Sequence, residues 1–223
     1  MPAAKRYTEQ TTPKNEVIIA PYDAKNIYMV QLHNQNQQWS ADRAPIIALF
    51  NEYFGGGMNA IVFQELREAR GLAYSAYAQY DSPTRLGDSE SFYTYIITQN
   101  DKMMDCVGEF NKLLNNVPVR QSGFDLAKQS LMKNLASQRT TKYSVLTAYL
   151  ALQRLGLDCS LSEKIYKALP SLQLQDVINF EKEYIANKTF KYIILGNEKE
   201  LDMKALEKIA PIRKVTTEEI FGY

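Results

Sequence analysis

The chain has a single histidine among 223 residues, so no motif that needs two imidazoles, HExxH or HxxEH, fits inside it. A histidine-dependent hydrolase would have only His33, which ends an expected strand beside a polar loop; the sequence predicts a surface or hydrogen-bonded residue there, not a catalytic base. No nucleophile motif accompanies it. The two cysteines, Cys106 and Cys159, are too far apart for a CxxC pair or any thiolate metal spacing. Both are expected to be small buried or semi-buried fillers. No run approaches the roughly 18 apolar residues of a membrane span, and the polar N-terminus lacks the apolar core of a signal segment. A soluble chain is expected, with the compartment left open between cytoplasm and periplasm. Charge is nearly absent in sum: 26 Lys plus Arg against 25 Asp plus Glu leave +1, too little for the basic face that nucleic acid demands.

What is present is apolar material in orderly periods. With 45% apolar and 23% charged residues, the chain can bury a core of domain size. Residues 1–14 lack periodicity and read as a mobile lead-in or linker, with a single domain over 15–223. Strands are expected at 15–20 and 26–32, followed by a polar loop over 34–38. A helix should follow, capped by Ser40 or Asp42, with Pro45 in its first turn and Ile46, Leu49, Phe50 and Tyr53 at helical spacing. The run Gly55, Gly56 and Gly57 stops it; no Lys-Ser/Thr pair follows, so a phosphate loop is not expected.

A second helix over 59–70 turns Val62, Phe63, Leu66 and Ala69 inward and Glu65, Arg67, Glu68 and Arg70 outward, ending at a left-handed Gly71. Residues 72–80 and 91–98 read as an antiparallel hairpin. Helices are expected at 102–115, 122–139 (with Ser122 and Asp125 as a capping box), 142–155, 162–169 and 174–186. The apolar run 190–195 reads as a buried strand, with a short helix at 201–209 and an edge strand at 212–215. This order predicts an α+β two-layer sandwich, a mostly antiparallel sheet with helices packed on one face.

The block Phe50-Asn-Glu-Tyr-Phe-Gly-Gly-Gly-Met-Asn-Ala-Ile-Val-Phe-Gln-Glu-Leu-Arg-Glu-Ala-Arg-Gly-Leu-Ala-Tyr74 resembles the pitrilysin/insulysin zinc metallopeptidases. Leu174-Gln-Asp-Val177 and the strand ending at Gly196 resemble the closing elements of the same domain. The resemblance implies one domain of a clamshell whose halves enclose a peptide chamber. Aligning Gly55 with the glycine that follows the zinc motif of catalytic members sets Ile46 and Phe50 at the two histidine positions and Leu49 at the glutamate. The implied role is therefore non-catalytic, with zinc held by a partner catalytic domain, in the same chain or another subunit. In the family the non-catalytic half supplies an Arg and a Tyr seven residues apart, which match Arg67 and Tyr74. A guanidinium and a phenol can both donate hydrogen bonds to the carbonyl oxygen of a peptide substrate. Gly55 to Gly57, Arg70 and Tyr77 are possible neighbours of the chamber, and a shallow apolar groove is expected beside Arg67 and Tyr74. The alternative is a purely structural or assembly domain of the same fold, as in respiratory-complex core subunits that resemble these peptidases.

Overall fold

The computed structural model describes residues 9–139 and 141–222. Six strands, β1 (Glu16–Pro21), β2 (Asn26–Gln38), β3 (Ser75–Asp81), β4 (Ser89–Gln99), β5 (Lys191–Gly196) and β6 (Ile212–Lys214), form one sheet in the order β3-β4-β2-β5-β1-β6. The β3/β4, β4/β2 and β2/β5 pairs are antiparallel, and β1 runs parallel to both β5 and β6. Inward residues alternate with period two: Val17 and Ile19, Ile27 and Met29, Ala76 and Ala78, Phe92 and Ile96, Tyr192 and Ile194. They share one core with the buried residues of the helices α1 (Ala44–Phe50), α2 (Ile61–Phe63), α3 (Met103–Asn115), α4 (Gln121–Ser137) and α7 (Leu174–Tyr184), while α5 (Lys142–Arg154) and α6 (Leu161–Ala168) link α4 to α7 and bury no residue fully. The result is the expected α+β sandwich.

Among the described residues the opposite face of the sheet has no helix layer. There Tyr77 lies 5.9 Å from Tyr93 and 5.2 Å from Tyr95, ring centre to ring centre. Strand β5 is therefore half-covered although its sequence is continuously apolar: Ile194 is fully buried, and its neighbour Ile193 is exposed.

Several local expectations are corrected. The polar stretch 34–38 is not a loop but the end of β2, which rejoins β4 through a bulge between His33 and Gln37. Asn36 adopts a positive φ of 59°, and its N–H donates to the Asn34 side chain at 2.7 Å, which absorbs the bulge. The lead-in from residue 9 lies beside this tail: Thr12 N–H donates to the Asn34 carbonyl at 2.8 Å, and the Asn34 amide reaches Glu9 at 3.2 Å. Residues 1–8 fall outside the described residues.

Neither Ser40 nor Asp42 caps α1; Ser40 Oγ accepts from the Asp42 N–H, and the chain before the helix is tied by Arg43, which pairs at 3.0 Å with the buried Glu90. Pro45 does sit in the first turn. Likewise α4 starts at Gln121 without the Ser122–Asp125 box, because Asp125 accepts from the Gln121 side chain instead. Cys106 is buried, which pushes its thiol up to about 12, but Cys159 is exposed and fills nothing.

Helix α1 runs straight into a π-helical turn (Asn51–Gly55) that lies against the outer side of β3. The Asn51 side chain donates to the Tyr80 carbonyl at 2.9 Å and accepts from the Tyr80 N–H at 2.8 Å. At Gly55 the approach is so close that a Cβ would stand 1.8 Å from the Ala78 carbonyl oxygen, so only glycine fits.

Candidate functional site

Arg67 and Tyr74 stand on either side of a chain reversal. Val62 and Leu66 bury the inner face of α2 and of the π-helical turn that continues it (Gln64–Ala69). The wider winding shifts the phase of a 3.6-residue pattern: Ala69, expected inward, is exposed, and Phe63 is only half-buried, with Arg67 above it. Gly71 then takes the left-handed conformation, φ 57°. The Leu66 carbonyl accepts from both Leu72 N–H at 2.8 Å and Ala73 N–H at 3.3 Å, so residues 72–73 form a turn and β3 begins only at Ser75. Tyr74 N–H donates to the Ile97 carbonyl at 2.8 Å, fixing Tyr74 at the mouth of the strand.

This reversal brings the two residues together. The Arg67 guanidinium carbon lies 4.8 Å from the centre of the Phe63 ring and 5.8 Å from that of Tyr74. Stacking of this kind at an exposed site is worth about 0.5–1 kcal/mol, enough to orient the side chain but not to tie it down. The Arg67 side chain is 45% exposed and Tyr74 is 75% exposed. The carboxylates around the pair are mostly occupied elsewhere. Glu65 is held by Arg70 at 3.9 Å and by Arg120, and Glu109 takes Arg70 at 3.4 Å. Arg67 has a long contact of 3.7 Å with the exposed Glu68, a surface pair of little energetic weight. Two donors thus stand adjacent, facing solvent.

The suggested neighbours are dispersed. Arg70 is drawn toward α3 through Glu109, and Tyr77 joins the tyrosine cluster on the uncovered sheet face. Gly56 and Gly57 border a separate pocket of about 210 Å³ with Met58 and Ser130, where Ser130 Oγ donates to Glu52 at 2.7 Å. The depression that does adjoin Tyr74 has a volume of about 310 Å³. It is not the apolar groove that the sequence suggests: Leu72 and Ala73 form one wall, but Asn26, Thr98, Gln99 and Lys102 form the other. Lys102 had no signal in the sequence, because it reaches the site from the turn after β4; its Nζ donates to the Gly71 carbonyl at 3.2 Å.

The positions aligned with the two histidines and the glutamate of the zinc motif offer neither a metal ligand nor a general base. Leu49 and Phe50 are fully buried, and Ile46 packs against the same core. The Phe50 ring contacts those of Phe54, Phe92 and Phe180 at 5.1, 6.4 and 5.3 Å. No cluster of three or more His, Cys, Asp or Glu suited to a metal ion occurs among the described residues. His33 is buried, not at the surface; its Nδ1 pairs with the Thr189 carbonyl at 2.8 Å, and burial holds its pKa below the ordinary imidazole value. Among the described residues no helix is long and apolar enough to cross a membrane.

The chain and its fold are similar to several known proteins. The chain is 36% identical over 84 residues to an uncharacterized zinc protease of Rickettsia bellii, an alignment covering 37% of this chain and 20% of that protein. Its fold is similar to that of a peptidase M16 inactive domain from Pseudomonas fluorescens, with a TM-score of 0.71, 18% identity, and coverage of 88% of this chain and 47% of the other. A protease from Helicobacter pylori superposes with a TM-score of 0.68 at 14% identity, over 86% of this chain and 47% of that one. The chain thus spans less than half the length of each of these relatives. The sequence pattern of the family described as "Peptidase M16 inactive domain" matches residues 2–131, more than half of the chain, and the chain belongs to that family.

Proposed function

We propose that this chain is the non-catalytic half of a peptide-cleaving zinc metallopeptidase. It forms part of the wall of a substrate chamber, and Arg67 and Tyr74 donate hydrogen bonds to the substrate carbonyl, whose oxygen gains negative charge as the bond is attacked. A separate zinc-bearing domain, in the same polypeptide or another subunit, holds the metal. The observation that carries this reading is the solvent-facing Arg67–Tyr74 pair, stacked at 5.8 Å, in which the guanidinium has only a long, exposed contact of 3.7 Å with Glu68. Donors in this state can turn toward an incoming carbonyl without first breaking a strong ion pair.

The length of the relatives supports a missing partner of similar size. So does helix α5 (Lys142–Arg154), which buries none of its residues and leaves Tyr143 95% exposed with Leu146 and Tyr149 alongside. Apolar surface of that extent favours contact with a further domain. The same helix is what favours the second reading, a domain that serves assembly alone.

Cleavage of a mixed peptide substrate with added zinc separates the two. The chain alone is expected to be inactive, and activity to appear with the zinc-bearing domain from the same source. Arg67→Ala and Tyr74→Phe are each expected to slow that activity by roughly 10²- to 10³-fold, the usual loss for one oxyanion donor. An active pair that ignores both substitutions would make the domain a scaffold.

A further inference from the structure

Five strands end on the side of the sheet where Tyr74 lies. In the pairing registers Ser75 stands opposite Ile97, Asn26 opposite Gln99, Tyr28 opposite Leu195, and Pro21 opposite Gly196. The connections at this end leave three depressions in a row. The first is the pocket beside Tyr74, walled by Asn26, Gln99 and Lys102. The second, of about 660 Å³, shares Asn26 and Gln99 with it and continues to Asn100 and Glu200. The third, also about 660 Å³, follows at Tyr22, Asn197 and Lys199. Four strand spacings of about 4.8 Å give the row a span of roughly 19 Å, the length of about six residues of extended peptide.

The side chains along the row suit a peptide. Asn26 and Gln99 carry amides, each able to donate and accept, as a peptide group requires. The Asn100 amide is turned inward, its nitrogen on the Lys25 carbonyl at 3.3 Å and on Glu200 and its Oδ1 buried, so it shapes the floor between the depressions. Lys102 is the cation of the first pocket. It makes no ion pair among the described residues, in contrast to Lys112, Lys164, Lys167 and Lys214, and its Nζ is steadied only by the Gly71 carbonyl.

We infer that an extended peptide leaving the Arg67–Tyr74 pair runs along this row, and that the pocket beside Tyr74 takes an acidic side chain of that peptide against Lys102. The substrate class is then a peptide with Asp or Glu a few residues from the cleaved bond. This inference rests on the proposed role of Arg67 and Tyr74, and its test keeps the two separable.

The chain with its zinc-bearing partner is given fluorogenic peptides that differ only in carrying Asp, Asn or Lys at one position, moved stepwise away from the cleaved bond. At one position on one side, kcat/KM for the Asp peptide is expected to exceed that for Asn by about threefold to fivefold, the range of a half-exposed ion pair. Lys102→Met removes that ratio and Lys102→Glu turns it toward the Lys peptide. In parallel, nuclear magnetic resonance of this chain alone shows the Asp peptide shifting the amide signals of Gly71, Gln99 and Lys102 more than the Asn peptide does. No Asp preference, or one that survives both Lys102 substitutions, overturns the inference. Where the pair does not cleave, equal shifts with the Asp and Asn peptides overturn it. Indifference of every peptide to Arg67→Ala and Tyr74→Phe overturns the role of that pair while the Lys102 result stands separately.

Discussion

The helix before the three glycines and the helix after them use the same physics for opposite ends. In α1 the positions that the resemblance aligns with the two zinc-binding histidines and the glutamate base hold Ile46, Phe50 and Leu49, all packed in or against the core. After the glycines, Val62 and Leu66 do the packing, which frees Arg67 to lie on the outside over Phe63. Burial of each large side chain in α1 contributes about 1.5–3 kcal/mol, whereas Arg67 and Tyr74 contribute almost nothing to holding the domain together. Both helices therefore hold the core, but only the second also presents a cation outward, and on the proposed reading that cation can be altered with little effect on the core beneath it.

That separation gives the first and largest expectation: Phe50→Ala costs about 3–5 kcal/mol of unfolding free energy in a denaturant titration, since three aromatic neighbours lose their partner. A loss below about 1 kcal/mol would show that the α1 core is looser than its packing implies. Gly55→Ala comes next, with a loss of about 1–3 kcal/mol or more by the same measurement, because the added methyl meets the Ala78 carbonyl at 1.8 Å.

A third expectation concerns Glu181 on α7, which is buried with Oε1 unpartnered among the described residues, so that desolvation pushes its carboxyl up to about 7. Because the folded value lies above the ordinary 4.5, the penalty is absent at pH 4, grows as pH rises from 4.5 to 7, and is then constant. Glu181→Gln should therefore stabilise the chain by about 1–3 kcal/mol at pH 8 and change little at pH 4; equal melting shifts at both pH values would refute the burial argument. Smallest of all, Arg67→Ala should move stability by no more than about 0.5 kcal/mol. A larger loss would mean that the Arg67 side chain itself shares the structural load.

The features legible in the sequence were those set by residue type at one point: Pro45 in a first turn, left-handed Gly71, the hairpin on either side of 81–88. Those that escaped depend on partners far along the chain. The end of β2 is polar, yet it pairs with β4 because Gln37 meets Glu90 and Asn34 is held by Thr12 and Glu9. Ser122 and Asp125 have the spacing of a cap, but helix α4 begins one residue earlier and Gln121 claims the carboxylate. For the site, the Arg67–Tyr74 pair came from resemblance alone, although Phe63 four residues before Arg67 was a local sign that the guanidinium has a ring to rest on. Nothing local marks Lys102, which the sheet brings across from β4.

The Asn51 amide, bonded to both backbone groups of Tyr80, stands where another strand would stand. With Gly55 pressed on Ala78, the outer margin of β3 is closed at two successive outward residues, and the opposite margin is only the three residues of β6 with Arg213 and Lys214 on it. Exposed strand margins invite pairing between molecules and the growth of continuous sheets. A domain that shows its uncovered tyrosines on a face while sealing its margins can meet other chains without being extended by them.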